Sequence, residues 1–182
     1  IDGIPAKDLA IFVGRNSHYF LPQFKQLSQS GRKILNWGAF FFQGGYFLYR
    51  KMYGIAILLL LVTLLLQLPN TLLLLRSMEM ASVTLTAMET AELQNLSTLS
   101  TVCTFVTLGV RFFCGLSANS FYKRHCLKKI REQKAIERTE DQYYAALSKK
   151  GSVAIKLITG LAIAYIAVNL IAMYLLILFG SF

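Results

Sequence analysis

From Met52 to Leu75 the chain runs for 24 residues without a charge, MYGIAILLLLVTLLLQLPNTLLLL, and no other stretch constrains its fold as strongly. The hydrocarbon core of a bilayer is about 30 Å thick, and an α-helix rising about 1.5 Å per residue needs about 20 apolar residues to cross it. The stretch therefore predicts a transmembrane helix, long enough to span with some tilt. Gln67, Pro69 and Asn70 sit in its later half. A proline there removes one backbone hydrogen bond, which predicts a kink or an exit near the outer interface. The alternative is a broken helix lining a cavity.

Two further crossings follow from the same reasoning, at 99–122 and at 152–179. The first is rich in Ser and Thr and contains Arg111; the second has Lys156 near its start. Gly160 and Ala164, with Ala154, Ala167 and Ala172 nearby, give that last span small residues suited to close helix packing, and Asn169 is placed to bond across it. Between the two spans, residues 123–151 are helix-compatible and strongly basic, so the second span is expected to run on past the membrane surface. Residues 76–98 read as a moderately polar loop or amphipathic helix.

The N-terminal part differs. Residues 1–33 look soluble, with short amphipathic helices expected at Asp8–Phe12 and Tyr19–Leu27, a turn at Gly14–Ser17, and Ser17 as the cap of the second helix. Residues 34–51 are aromatic, and their apolar part, Ile34–Tyr49, is 16 residues long, too short to cross. Trp and Tyr favour the head-group region, so an interfacial or re-entrant helix is expected there, with a bend at Gly44-Gly45. The fold class that emerges is an all-α membrane protein. It has about three transmembrane helices, an aromatic interfacial or re-entrant helix, and short N-terminal amphipathic helices. In outline, 1–33 is a soluble segment, 34–51 the aromatic helix, and 52–182 the transmembrane domain with the basic helix 123–151. The chain begins at Ile1 and reads as a processed or truncated piece of something longer.

Charge sets the expected orientation. With three spans, residues 1–51 and 123–151 share one side and hold 16 of the lysines and arginines, against Arg76 alone opposite. Lys and Arg in short flanking segments stay in the cytoplasm. A multi-pass cell-membrane protein is expected, with its N-terminus cytoplasmic and its C-terminus outside. The formal net charge of +10 is explained by this asymmetry and by attraction to anionic lipid head groups, and no nucleic-acid partner is inferred.

No chemistry-bearing motif stands out. Phosphate-binding loops, GxSxG and HExxH are absent, and no paired acids lie within the spans. His18 and His125 are the only histidines. Cys103, Cys114 and Cys126 are an odd set, and the first two, on one helix, would lie about 16 Å apart, well beyond the ~7 Å a disulfide tolerates. The expectation is a non-enzyme without metal or cofactor.

The residues singled out as contacts for lipid or a partner, or as a polar path, are Arg111, Asn119, Tyr122, His125, Trp37, Arg50 and Lys51. Arg111 carries a guanidinium into a span at a cost of at least ~2.5–3.5 kcal/mol, so it either finds an internal partner or snorkels to the cytoplasmic head groups. Gly115, Asn119 and Tyr122 recur at i, i+4, i+7 on one helix face, with His125 a turn further. They define either a small polar site at the cytoplasmic interface or a helix contact that Gly opens and Asn bridges.

Asn36-Trp37-x-Ala39-Phe40-Phe41 followed by Tyr49-Arg50-Lys51-Met52-Tyr53 resembles the signature of a bacterial family of small integral membrane proteins filed as a domain of unknown function. Phe12-Val13-Gly14-x-Asn16-x-x-Tyr19 is similar to the segment that leads into it, and Gly115-x-x-x-Asn119-x-x-Tyr122-x-x-His125 to its pattern at the end of a membrane helix. Gln43-Gly44-Gly45 departs from the large aromatic or proline found there in the family. The resemblance implies a fold type and a bacterial membrane, a zinc ribbon ahead of the domain in some relatives, and no activity. The leading functional expectation is an interaction, scaffold or regulatory subunit that contacts anionic lipid or a protein partner and forms a homo-oligomer. The alternative is a small transporter or channel component with Arg111, Gln67, Asn70 and Asn169 along a path.

Overall fold

The computed structural model describes residues 1–79 and 86–179, leaving aside the side chains at 165, 168, 169 and 172–179. Among these residues the regular structure is helical: α1 (Ala6–Val13), a 3-10 turn (Gly14–Asn16), α2 (Ser17–Ser30), α3 (Trp37–Phe42), α4 (Gly44–Tyr49), α5 (Tyr53–Glu79), α6 (Ala87–Lys134), α7 (Glu140–Gly151) and α8 (Ile155–Phe179). Two of them, α5 and α6, are long and apolar enough to cross a membrane. None of the most apolar 18-residue stretch of α5 is buried, and Leu58, Leu61, Leu64 and Leu65 all stand exposed. An apolar surface this continuous is far larger than a soluble monomer presents to water. The expected third span coincides with α8, a 25-residue helix that touches α4 through its first turn, where the Ala154 amide donates to the Tyr49 carbonyl at 2.9 Å. The expected contacts of Asn169 and Ala172 lie outside the described side chains.

Both long helices exceed their expected bounds. α5 continues through Pro69 to Glu79, so the proline does not end it. Asn70 there donates to Gln67 at 3.1 Å and accepts from Ser100 on α6, which binds the two helices together where the proline weakens the backbone. α6 starts at Ala87 because Thr86 and Glu89 form a capping box, the Thr86 amide donating to the Glu89 carboxylate at 2.8 Å. It then runs for 48 residues, about 72 Å, without a break. The polar segment 76–98 is thus largely the ends of two helices, and its residues 80–85 lie outside the described set.

At one end of α6 a helical cap assembles from α1, α2, α7 and the last turns of α6, around Leu9, Phe12, Phe24, Cys126, Ile130 and Leu147. Lys123 joins α6 to Asp2 at 2.7 Å, and Lys134 joins it to the buried Asp8 at 3.0 Å, which also accepts from Tyr143 of α7 at 2.9 Å. The turn at Gly14 has φ +69°, the left-handed region open to glycine. Ser17 is the first helical residue of α2 rather than its cap, and Asn16 before it makes no side-chain capping bond.

Residues 34–52 form a hairpin of two six-residue helices in place of one longer helix. The bend falls at Gln43 (φ 41°, ψ −116°), one residue before the expected Gly44-Gly45. Gly44 serves close approach instead: a Cβ there would come within 2.8 Å of Leu60 Cγ and 3.0 Å of the Ala56 carbonyl oxygen. Gln43 accepts a hydrogen bond from Thr63 at 2.9 Å, and Thr63 is about 15 Å along α5 from Tyr53. Both feet of the hairpin stand at the 115–122 level of α6: the Asn36 amide donates to the Gly115 carbonyl at 2.9 Å and Arg50 to the Tyr122 hydroxyl at 3.4 Å.

Candidate functional site

The family-like face of α6 is where the hairpin docks. Gly115 has no side chain, so the Leu35–Asn36 segment lies directly on the helix; a Cβ would meet Leu35 Cδ1 at 2.6 Å and Phe40 Cβ at 3.2 Å. One turn on, Asn119 accepts from Asn36 at 2.8 Å and donates to Gln23 and, at 3.4 Å, to the Ile34 carbonyl. Asn36 in turn caps α3 by accepting the Ala39 amide at 3.0 Å, and donates to the Tyr46 hydroxyl at 3.0 Å. This is a closed polar network in which each buried amide finds partners, the condition for such a core to be stable. Trp37, by contrast, is 61% exposed and stacks on Phe41, which with Phe42 forms an outward aromatic face.

Arg50 sits in an aromatic cage. It is only 6% exposed, and its guanidinium carbon lies 4.5 Å from the Phe20 ring centre, 4.8 Å from Tyr122 and 5.4 Å from Tyr49. Cation–π attraction of this kind strengthens when the cation is desolvated. Next to it, Lys51 takes φ 59°. The Met52 amide reaches the Phe47 carbonyl at 2.8 Å and the Lys51 amide reaches Leu48 at 3.0 Å, the bond pair of a Schellman helix end, whose left-handed position usually belongs to glycine. Here it turns the lysine toward α7, where Nζ donates to the Lys149 carbonyl at 3.2 Å and to Ser152 at 2.8 Å.

Beyond Lys51 opens a cleft of about 870 Å³ between α6, α7 and the first turn of α5. Its cations are Lys51, Lys129, Arg138, Lys149 and Lys150, with His125 and Tyr53 also on the wall, and no acid lines it. Lys129 is paired at 2.8 Å with Glu132, and Arg138 donates to Gln133 at 3.0 Å, so part of the charge is held in place. A shallower groove of about 520 Å³ continues from the cleft past Arg124 and Lys128 to Ile55 and Phe121, where the basic surface gives way to the apolar one. Burial, followed by the charges of Lys129 and Lys128, lowers the His125 pKa; Glu132 opposes them. His125 therefore adds little to the positive charge of the cleft at pH 7. Burial pushes the neighbouring Cys126 thiol up to about 12, which makes it inert.

Of the residues singled out from the sequence, Lys51 and His125 share the cleft, Arg50 and Tyr122 share the cage, and Asn119 belongs to the network beside it. Arg111 stands apart, in an open groove of about 360 Å³ with Phe40, Gln67, Thr104, Phe105, Thr107 and Leu108, and makes no ion pair or hydrogen bond among the described residues. Asn70 is instead engaged with Ser100. Sequence reasoning missed Gln43, Gln23, Arg138 and the Lys149–Lys150 pair as site residues. Only the lysine pair left a signal, as the end of the basic run.

Helical throughout its regular structure, with two helices able to cross a membrane and a basic cap at one end, the chain has the build of a small membrane-associated helical protein. A family model described as a protein of unknown function, DUF2628, matches residues 21–127, and the chain belongs to that family. The match takes in the hairpin, α5 and α6 through Leu127. No curated protein and no solved structure matches the chain.

Proposed function

We propose that the chain is an integral membrane protein crossing the bilayer three times, through α5, α6 and α8, with the cap in the cytoplasm, and that it works by binding rather than catalysis. Its basic cleft takes the phosphate head groups of anionic lipids in the cytoplasmic leaflet. The observation that carries this reading is the acid-free wall of five cations opening onto the first turn of α5, where Tyr53 marks the interface. A lysine held in a left-handed backbone position that favours glycine adds to it, since such strain persists where the side chain is used.

Each Lys or Arg near an anionic surface contributes about 1 kcal/mol. Neutralising two, as in Lys149→Gln/Lys150→Gln, is expected to weaken phosphatidylglycerol binding about 30-fold. The test is native mass spectrometry of the purified protein with phosphatidylglycerol and phosphatidylcholine. Preferential retention of the anionic lipid, lost in the double variant, is the expected result. Equal retention of both lipids sinks the lipid reading, and selective flux through proteoliposomes sinks the non-transporting one.

A further inference from the structure

Arg50 is a buried cation without a counter-ion. No carboxylate of the described residues comes within ion-pair distance of it, and its Nε meets no protein acceptor. Four acids of the cap pair elsewhere, Asp8 with Lys134, Asp2 with Lys123, Glu132 with Lys129 and Glu140 with Lys7. Aromatic faces and one phenol replace only part of the hydration that a guanidinium loses on burial.

A cavity of about 440 Å³ is lined in part by Arg50 and shares no lining residue with the basic cleft. Its polar wall comes from separate elements: Arg15 and Asn16 on the 3-10 turn, Tyr49 on α4 and Ser148 on α7. No acid lines it, and Ile155 at the start of α8 forms its apolar rim. The geometry points to a second anion site, in which Arg50 and Arg15 hold the oxygens of a phosphate group. Polar groups arriving from two elements besides that of Arg50, the 3-10 turn and α7, converge from three directions in all and suit an oxyanion with three or more acceptor oxygens, whereas a planar carboxylate offers two. The group is either free phosphate or the head of a lipid whose chains leave past Ile155.

The full chain, purified in detergent, is titrated at constant ionic strength with inorganic phosphate, short-chain phosphatidic acid, acetate and chloride, and thermal unfolding is followed. Saturable stabilisation by either phosphate form is expected, and which of the two acts at the lower concentration identifies the source. In the Lys149→Gln/Lys150→Gln background, where the lipid cleft is weakened, Arg15→Ala, an exposed turn position, raises the half-saturating concentration about tenfold or more, and Arg50→Met abolishes the response. That background by itself keeps a saturable response to inorganic phosphate. Stabilisation by acetate equal to that by phosphate overturns the proposal, as does a response no larger than chloride gives. So does an unchanged response in Arg15→Ala, which decides the matter even where Arg50→Met does not fold, or the absence of any saturable response to inorganic phosphate in the cleft variant.

Discussion

Gly151 ends α7 against the backbone of Phe12, and a Cβ built there would fall on the Phe12 carbonyl. A clash with a side-chain tip is relieved by a rotamer change, but a clash with backbone moves a helix. Two estimates bracket the effect of Gly151→Ala. If only the last turn of α7 shifts, overpacking strain of about 1–3 kcal/mol results. If α7 lifts away from α1, then Leu9, Phe12 and Leu147, each at most 2% exposed, regain water at up to about 1.5–3 kcal/mol per side chain. The better helix propensity of alanine offsets about 1 kcal/mol of either. The net loss is then about 0–2 kcal/mol in the first case and several kcal/mol in the second, and a partial shift of α7 between the two costs about 2–4 kcal/mol. The assay uses a variant whose only cysteine is Cys126, buried in the cap, and measures its rate of labelling by a thiol reagent together with the unfolding midpoint. A loss of 2 kcal/mol corresponds to about 30-fold more open cap and proportionally faster labelling. Gly109→Ala is the control, because a Cβ there meets nothing within 4 Å. Identical midpoints and labelling rates for the two variants would refute the close α1–α7 approach.

Gln43→Gly is expected to stabilise the protein by about 1–2 kcal/mol in thermal unfolding. It relieves φ 41° and removes a buried Nε2 without a partner, against the loss of one bond from Thr63. Asn119→Ala takes one partner from the buried Asn36, which keeps Tyr46 and the Ala39 amide, and one from the half-buried Gln23, and is expected to cost about 1–3 kcal/mol, read as a drop in the same midpoint. His125 binds its proton less readily in the folded cap than in the unfolded chain, because of burial and then Lys129 and Lys128. Stability is therefore unaffected by this group above about pH 6.5 and falls as the pH drops through that value toward the lowered one. Unfolding midpoints at pH 7.5 and 5.5 are expected to differ less in His125→Gln than in the unaltered protein.

What the sequence disclosed and what it hid divide along the range of the interactions. The 24-residue charge-free run and the i, i+4, i+7 face at Gly115 are local patterns, so α5 and the docking face of α6 were legible. Arg50 looked like an interfacial arginine because nothing near it in the chain announces burial; its cage is made by Phe20 and by Tyr122, 72 residues away. Gln43 was hidden for a different reason. The neighbouring glycines are the better turn formers, but Gly44 is required against α5, and the bend moves onto the residue before it. At Pro69 the lost hydrogen bond predicts a kink or an exit, and it does not disclose that the helix runs on, because the tie that Asn70 makes to Ser100 is long-range. Gly151 carries no sequence signal at all, since only the approach of α1 makes its missing side chain matter.

The hairpin also bears on the proposed topology by a route independent of charge counting. Were residues 34–49 to cross the membrane, the N-terminal segment would be separated from α6 beyond Tyr122 by a hydrocarbon core about 30 Å thick. Instead Lys123 bonds Asp2 and Ser28, each at 2.7 Å, and Arg131 donates to the Asp2 carbonyl at 3.2 Å. Gln43 at the apex reaches Thr63, while the two feet return to Gly115 and Tyr122, two turns or about 10 Å apart on α6. Residues 1–33 and 123–151 are therefore parts of one packed body, which is compatible with an even number of spans between them and not with an odd one. Their lysines and arginines must then partition to one side together, rather than as two separate segments. In the proposed three-span arrangement, placing the cap outside would require moving all of them across the bilayer against Arg76 alone, which is why the positive-inside preference acts on this chain as a single large bias.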